Sequence, residues 1–426
     1  MTNELLQQVR VLDPVSGTDQ QADVLITDGF IKAVDTKISE VPADIAMRDC
    51  RGLILGPGLV DLYSHSGEPG FEERETWSSL LAAAVTGGFT RLTILPDTVP
   101  PLDNPSGLAR LHQQESRGRE ALTPTPRIDY WGALTLGVEG QQMTELAELA
   151  PAGVVGFADG RPLTNLALLR RLLEYLQPLG KPVALMPCDR QLASNGVMRE
   201  GVQSIRFGLP GSPAIAESAA LAAILEVVAA IGTPVHLMRL STSRSVELIQ
   251  EAKAQRLPVT ASTTWMHLLF NTEDLGSYNP NLRLEPPLGN PADQAALIKG
   301  VREGILDAIA IDHTPYTYEE KTVAFAEAPA GVIGLELALP LLWHLLVEKG
   351  HLSALELWKL MSTNPALCLQ QSPAAIAPDQ AAELVLFNPQ EVWKANRHTL
   401  KSRSTNTPWL GQELIGRVVQ TWSPRT

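Results

Sequence analysis

The chain has 426 residues, 44% of them hydrophobic, which suffices for one large α/β barrel with an extra small domain or for two to three ordinary domains. Its formal net charge of -13 argues against a nucleic-acid or anionic-membrane partner. The three cysteines, Cys50, Cys188 and Cys368, are too widely spaced for a disulfide framework or a cysteine zinc site, so we expect a reducing, cytoplasmic setting.

The first part of the chain, residues 1–53, alternates strand-like runs with turn residues such as Asp28-Gly29, which predicts a small β-module. We expect no targeting segment here, because the N-terminus lacks the apolar region of a signal peptide. Nor do we expect a membrane span, since the most apolar stretch, 332–347, is interrupted by a glutamate and a proline and is too short.

The middle of the chain, residues 54–374, alternates strand-like with helix-like segments, as a (β/α)₈ barrel does. The predicted strands are 54–62, 89–95, 128–134, 153–157, 182–186, 234–240, 258–263 and 308–311. The clearest helical patterns are 166–175, 216–231, 243–254 and 291–302. The last part, 375–426, is strand-patterned again, so we expect both chain ends to meet in one β-rich domain beside a TIM-type barrel.

Residues 56–70 comprise the end of the first predicted barrel strand and the polar, glycine-rich loop into which it runs. Asp61, Tyr63 and His65 follow one another with period two, which places their side chains on one face of an extended segment. The C-terminal end of a barrel strand is where catalytic groups usually lie.

This stretch resembles the first metal loop of the dihydroorotases, within the amidohydrolase superfamily, which normally reads Asp-x-His-x-His-x-Arg-Glu-Pro-Gly. Here Tyr63 stands at the first ligand histidine, His65 keeps the second, and Gly67 stands at the substrate-binding arginine. Other landmarks follow in the family's order, among them Gly87-Gly88-Phe89-Thr90 and Thr363-Asn364-Pro365-Ala366. The resemblance covers almost the whole chain and fails mostly at the site. It implies an amidohydrolase barrel with a composite β-domain.

The resemblance also assigns the remaining site positions. Asp159 matches the bridging carboxylate, and Asp312 matches the metal-binding and catalytic carboxylate of the last strand. Pro187 and Arg239 stand where ligand histidines belong, and Asp97 stands at a substrate-binding asparagine. We therefore expect no binuclear centre. Three candidate ligands remain, His65, Asp159 and Asp312, and many catalytic zinc sites have three protein ligands. The positive charge of the Arg239 guanidinium nearby would nevertheless repel the ion.

The alternative to a metal site is an internal ion pair. Asp159 and Asp312 should converge where two cations once offset their charge, and like charges in a partly desolvated cavity are costly. We predict that the Arg239 guanidinium lies within salt-bridge distance of one or both, while the Tyr63 hydroxyl donates to one of them. His65 would then simply be a hydrogen-bonded residue of the barrel mouth.

The remaining charged and imidazole groups have simpler interpretations. We expect His236 and His267 to be packed or hydrogen-bonded histidines. His313 should face away from Asp312, since neighbouring residues of a strand point to opposite faces. The charged runs 72–75 and 319–321 are most simply solvated surface.

Three functions remain open. The first is a dihydroorotase-like pseudoenzyme of pyrimidine biosynthesis, without a cofactor, that forms homo-oligomers and serves as a structural partner of aspartate transcarbamoylase. This role is implied by the resemblance alone. The second is a working cyclic amidohydrolase that converts dihydroorotate and water to N-carbamoyl-aspartate with one zinc ion or a rearranged site. The third is a small-molecule binding protein that uses the barrel mouth.

Overall fold

The structure is a computed structural model, in which residues 3–39, 45–119 and 125–424 are described. The strands are, in chain order, β1 (Glu4–Asp13), β2 (Thr18–Thr27), β3 (Phe30–Asp35), β4 (Ala46–Asp49), β5 (Ile54–Pro57), β6 (Leu59–Ser64), β7 (Phe89–Ile94), β8 (Arg127–Gly132), β9 (Gly156–Phe157), β10 (Val183–Leu185), β11 (Met198–Arg199), β12 (Gly211–Ser212), β13 (Val235–Leu237), β14 (Val259–Thr264), β15 (Ala308–Ala310), β16 (Leu384–Lys394) and β17 (Glu413–Trp422).

The α-helices are α1 (Trp77–Gly87), α2 (Pro105–Arg119), α3 (Leu146–Ala152), α4 (Leu166–Leu176), α5 (Arg190–Ala193), α6 (Val202–Phe207), α7 (Ile215–Ile231), α8 (Ser243–Ala254), α9 (Trp265–Leu269), α10 (Pro291–Arg302), α11 (Tyr318–Lys321), α12 (Ala338–Leu342), α13 (Ala354–Trp358) and α14 (Asn364–Cys368). Two π-helical turns, Trp343–Val347 and Lys359–Thr363, continue α12 and α13. None of these helices is long and apolar enough to cross a membrane.

Eight parallel strands form the barrel, in the order β6, β7, β8, β9, β10, β13, β14, β15. The two outer strands of this order meet through backbone hydrogen bonds, in which Asp312 N donates to Tyr63 O (3.2 Å) and His65 N donates to His313 O (2.9 Å). The predicted (β/α)₈ fold is therefore confirmed, and each barrel strand overlaps a predicted segment. Apolar residues from the strands and the surrounding helices share one large core.

The prediction of one strand over 54–62 is wrong, because two strands occupy this region. β5 belongs to the sheet of the chain ends, and β6 begins the barrel. Gly58 separates them, and its backbone N donates to Glu383 O (3.0 Å). A side chain at position 58 would overlap Thr90, with the first carbon 2.2 Å from its Oγ1. The chain turns from one sheet to the other where only glycine fits.

The second sheet has seven strands and draws on both ends of the chain, as predicted. Its order is β17, β16, β5, β1, β2, β3, and β4 pairs with β1. The central contact between the two ends is the antiparallel pairing of β5 with β16. A separate apolar core lies beneath it, including Leu6, Val11, Leu55 and Leu386.

Candidate functional site

Four of the predicted site residues come together where barrel strands end. Tyr63 and His65 lie at the end of β6, Arg239 follows β13, and Asp312 follows β15. Arg239 and Asp312 have left-handed backbone conformations, with φ of 56° and 53°. Non-glycine residues adopt this region only where the surrounding contacts hold them there, and functional sites are common places for it.

The Arg239 guanidinium forms a two-pronged ion pair with Asp312. Nε donates to one carboxylate oxygen at 2.8 Å and Nη2 donates to the other at 2.5 Å. Nη1 donates to Gly160 O at 2.8 Å and lies 3.4 Å from Met186 Sδ. The side chain of Arg239 is only 6% exposed. Although burial opposes ionisation, Arg239 and His65 hold the pKa of Asp312 well below its usual range. This part of the predicted ion-pair cluster is present.

His65 lies between two carboxylates. Its Nδ1 is 2.8 Å from Asp97 Oδ2, and its Nε2 is 3.6 Å from Asp312 Oδ1 and 3.2 Å from Arg239 Nη2. Burial disfavours the imidazolium, but Asp97 and Asp312 outweigh this effect and raise the pKa of His65 to about 9. His65 is thus held between Asp97 on one side and the Arg239–Asp312 pair on the other.

Tyr63 fills the position of the first missing ligand histidine without reaching a carboxylate. Its hydroxyl is 2.9 Å from Ser262 Oγ and accepts a hydrogen bond from Arg239 N at 3.1 Å. The predicted donation to Asp159 or Asp312 is therefore wrong, because these nearer groups occupy the hydroxyl. Pro187 is buried and offers no side-chain donor or acceptor.

Asp159 does not join the ion pair with Arg239 that the sequence predicted. One of its oxygens accepts from Leu134 N (2.8 Å) and Thr135 N (3.0 Å), and the other accepts from Thr135 Oγ1 (2.6 Å). Burial raises the pKa of Asp159 more than these hydrogen bonds lower it. The Asp159 carboxylate therefore lies in the wall of the barrel, where hydrogen-bond donors at the end of the neighbouring strand satisfy both of its oxygens.

The zinc ion that the family resemblance implies does not fit these residues. Both oxygens of Asp312 are occupied by Arg239, both ring nitrogens of His65 face charged groups, and Asp159 is bonded elsewhere. Within residues 3–39, 45–119 and 125–424, no three His, Cys, Asp or Glu side chains are grouped so that they could hold a metal ion.

The substrate-binding positions have changed as well. Gly67 is packed so closely that a side-chain carbon there would lie 2.4 Å from Glu75 O and 2.7 Å from Phe71 O. The backbone of Phe71 and Glu75 therefore leaves no room for a side chain at position 67. Asp97 is paired with His65. Burial opposes ionisation of the Asp97 carboxyl, but His65, together with the charges of Arg161 and Arg239, outweighs burial and lowers its pKa.

The histidines outside the ion pair are hydrogen-bonded, as expected. His236 contacts Thr260 and Ser262, and burial lowers its pKa to about 3. His267 contacts Thr264 and Pro286 O, and burial lowers its pKa to about 4. Both imidazoles are therefore neutral at physiological pH.

The prediction that the two charged runs are solvated surface is wrong for two residues. Glu75 is fully buried, faces His313 Nε2 at 3.4 Å and accepts from Arg403 N at 2.9 Å. Lys321 is also buried and donates to two backbone carbonyl oxygens. Glu75 meets the C-terminal segment of the chain, a long-range contact that local charge patterns do not reveal.

A cavity of about 400 Å³ lies above the Arg239–Asp312 pair, at the mouth of the barrel. Three arginines line this cavity that the sequence analysis did not identify as site residues: Arg74, Arg161 and Arg190. Arg74 stacks on Phe71 and pairs with Glu320. Arg161 and Arg190 follow the ends of the neighbouring strands β9 and β10. Both arginines stand four residues after the end of a predicted strand, and this spacing could have indicated that they lie at the barrel mouth.

Comparisons with known proteins by family model, by sequence and by structure give consistent results. Residues 52–245 match the family model for dihydro-orotase-like proteins. The chain is 44% identical to a probable dihydroorotase-like protein of Synechocystis, over 98% of this chain and 99% of that protein. It is 38% identical to a dihydroorotase of Pelobacter propionicus, over 98% of this chain and 97% of that protein. The L-hydantoinase (dihydropyrimidinase) of Arthrobacter aurescens shares the fold, with a TM-score of 0.84 at 20% identity, over 100% of this chain and 98% of that one.

Proposed function

The chain belongs to the dihydroorotase-like family of amidohydrolases, and we propose that it is a non-catalytic member that acts as a structural partner of aspartate transcarbamoylase in pyrimidine biosynthesis. The observation that carries the loss of catalysis is the bond of Arg239 to both oxygens of Asp312. A permanently charged guanidinium is held where a ligand histidine is expected. It satisfies the carboxylate that the family uses for its metal.

The chemistry of the reaction supports this proposal. Hydrolysis of a cyclic amide near neutral pH depends on a metal ion that generates hydroxide and polarises the carbonyl. The residues at the barrel mouth are instead bonded to one another, with Arg239 and Asp97 on opposite sides of His65. Gly67 leaves no arginine to bind a substrate carboxylate, and the closed loop around it leaves no room for one.

A joint assay of metal content and turnover tests the loss of catalysis. We expect elemental analysis to find at most about 0.1 equivalent of zinc per chain, because the set of metal-binding side chains is incomplete. We also expect no turnover of dihydroorotate above the buffer control, in either direction of the reaction. The His65→Ala variant should behave in the same way. Zinc-dependent turnover in the wild-type protein that disappears in His65→Ala would establish the mononuclear enzyme and contradict the proposal.

Co-expression with aspartate transcarbamoylase from the same organism tests the partner. We expect the two chains to co-elute in size-exclusion chromatography at micromolar concentration, and transcarbamoylase activity or stability to rise in the complex. Arg161→Gln is the control, because Arg161 is exposed and its side chain forms no hydrogen bond or salt bridge within the described residues, so the change should leave both the fold and the co-elution unaltered. Two independent peaks with unchanged transcarbamoylase activity would contradict the partnership.

A further inference from the structure

The α6 helix carries the two most exposed large apolar side chains of the described residues. Val202 is 81% exposed and Ile205 is 85% exposed, whereas the next values are 62% for Tyr318 and 61% for Met47 and Val392. Single apolar residues at a surface are common. Val202 and Ile205, however, stand three positions apart in one helix, so their side chains lie side by side on one face. Together they form an apolar surface that faces solvent.

The other side of α6 is anchored to the protein, so the exposed pair has a fixed place. Ser204 is buried, and its Oγ donates to Gly201 O at 2.9 Å and accepts from Gly201 N at 3.1 Å. Phe207 contacts Tyr278, with 6.0 Å between the ring centres, and the Tyr278 hydroxyl donates to Phe207 O at 2.8 Å. The exposure of the apolar pair is therefore a feature of an ordered helix.

Two charges of opposite sign flank the apolar pair. Glu200 precedes the helix and Arg206 lies near its end, and both are exposed and form no salt bridge within the described residues. Glu200 N donates to Ser212 O at 2.9 Å, and the Arg206 guanidinium lies 5.9 Å from the centre of the Phe207 ring. Residues 200–209 thus carry no net charge in a chain whose formal net charge is -13. Because two copies of this chain repel each other overall, a locally neutral surface is where they can meet.

These groups are complementary to themselves under a two-fold rotation. An antiparallel contact between two α6 helices places Val202 of each copy opposite Ile205 of the other. The same arrangement brings Arg206 of each copy to the end of the contact where Glu200 of the other copy lies. One surface therefore supplies both halves of an apolar centre and of a charged rim, as interfaces between proteins require.

We propose that α6 is an interface between two copies of this chain, a two-fold contact with Val202 and Ile205 at its centre and a Glu200–Arg206 ion pair at each end. A six-residue helix covers less than the roughly 800 Å² per partner of a stable interface, so the dissociation constant should be on the order of 10–100 µM. The inference goes beyond the proposed function, because it involves neither transcarbamoylase nor the barrel mouth.

Sedimentation velocity of the purified chain over a range of about 1–200 µM tests the contact. We expect self-association that rises with concentration and that Val202→Glu/Ile205→Glu weakens at least about tenfold, because carboxylates would be buried in the contact without partners. The control Met47→Glu/Val392→Glu adds the same charge at exposed apolar positions outside α6 and should change the affinity less than about twofold. A chain that stays monomeric throughout this range, or equal effects of the two variants, would overturn the proposal.

Reversal of the flanking charges tests the two-fold geometry. Glu200→Arg and Arg206→Glu should each weaken self-association about fivefold, because each places like charges opposite one another at both ends of the contact. The double variant Glu200→Arg/Arg206→Glu exchanges both partners and should restore the affinity to within about twofold of wild type. A double variant that associates no better than the single ones would contradict the two-fold contact.

Co-elution with transcarbamoylase separates this inference from the proposed function. We expect Val202→Glu/Ile205→Glu to co-elute with transcarbamoylase as the wild-type chain does. Loss of co-elution with unchanged self-association would assign α6 to transcarbamoylase and overturn the inference. A wild-type chain that self-associates through α6 without co-eluting would contradict only the proposed partnership.

Discussion

At the scale of single residues, the replacements at the ligand positions act together. Arg239 brings a positive charge to a place where metal ions are expected, and its own backbone N is bonded to Tyr63. Its carboxylate partner, Asp312, keeps a left-handed backbone that directs it into the mouth. A buried charge with a good partner is stable, whereas either one alone is not.

Removing the guanidinium should therefore be costly. We expect Arg239→Ala to lower the free energy of unfolding by about 3–5 kcal/mol, because the Asp312 carboxylate loses both hydrogen bonds of the guanidinium and keeps only His65 nearby. Urea denaturation followed by circular dichroism measures this. Arg127→Ala is the control, since Arg127 is 49% exposed and its pair with Asp129 should contribute less than about 1 kcal/mol. An unchanged denaturation midpoint for Arg239→Ala would contradict this account.

Gly67 should resist substitution for steric reasons alone. The methyl group of Gly67→Ala would lie 2.4 Å from Glu75 O, so the loop must shift, and overpacking of this kind costs about 1–3 kcal/mol. Thermal unfolding is the measurement. Gly107→Ala is the matched control, because the nearest atom to a methyl group there is 3.4 Å away. Equal melting temperatures of the two variants would show that the loop around position 67 is soft.

At the scale of elements, the segment between β16 and β17 holds the wall of the mouth. Glu336 accepts from Lys401 N at 2.8 Å and Ser402 N at 3.0 Å. The Asn406 side chain donates from Nδ2 to Thr314 O at 2.9 Å and accepts at Oδ1 from Tyr316 N at 3.1 Å. Thr314 and Tyr316 both line the cavity. This C-terminal segment thus fixes the backbone of the cavity wall from outside.

The Glu336 contact should make stability depend on pH. Burial raises the pKa of Glu336 to about 7, helped by the nearby charge of Glu75 and opposed by its backbone hydrogen bonds. The native state thus keeps a proton that the unfolded state loses above a pKa of about 4.5, so stability falls as the pH rises from about 4.5 to 7. Relative to Glu336→Gln, the free energy of unfolding should fall by at most about 1.4 kcal/mol per pH unit. Urea titrations at pH 5, 6 and 7 measure it, and a constant difference between the two proteins would contradict the prediction.

At the scale of the whole molecule, a largely buried ion pair joins the barrel to the sheet of the chain ends, with the side chains of Arg91 and Glu383 11% and 9% exposed. Arg91 of β7 donates to both oxygens of Glu383, at 2.7 and 2.8 Å, and Thr90 Oγ1 donates to the same carboxylate. Glu383 directly precedes β16, and its backbone O accepts from Gly58 N. The contact therefore lies where the two sheets exchange the chain.

A double-mutant cycle should show that this pair couples the two sheets. We expect Arg91→Ala and Glu383→Ala each to cost about 3–5 kcal/mol and the double variant to cost less than their sum. Chemical denaturation supplies the free energies. The exposed pair of Arg10 and Asp19 is the control, with a coupling below about 1 kcal/mol. Additive costs for Arg91 and Glu383 would mean that the two side chains act independently.

Sequence patterns alone predicted the barrel, its eight strands and the shared sheet of the two chain ends, because strand and helix periodicity and turn residues are local properties. The resemblance to the dihydroorotases predicted that the Arg239 guanidinium meets Asp159, Asp312 or both, and in the structure it meets Asp312. Where several hydrogen-bond donors compete for one carboxylate, local sequence patterns do not predict which donor it accepts from. Asp159 was expected at Arg239, yet the nearer donors of Thr135 satisfy it.

The remaining differences arose from packing between distant parts of the chain. Glu75 is buried because residues 402–403 reach it from the C-terminal segment, and the strand over 54–62 divides because Gly58 meets Thr90 and Glu383. Arg161 and Arg190 face one cavity because β9 and β10 are neighbours in the barrel. Each of these contacts joins segments far apart in sequence, so only the tertiary structure decides which groups are desolvated, which are paired and which line the cavity.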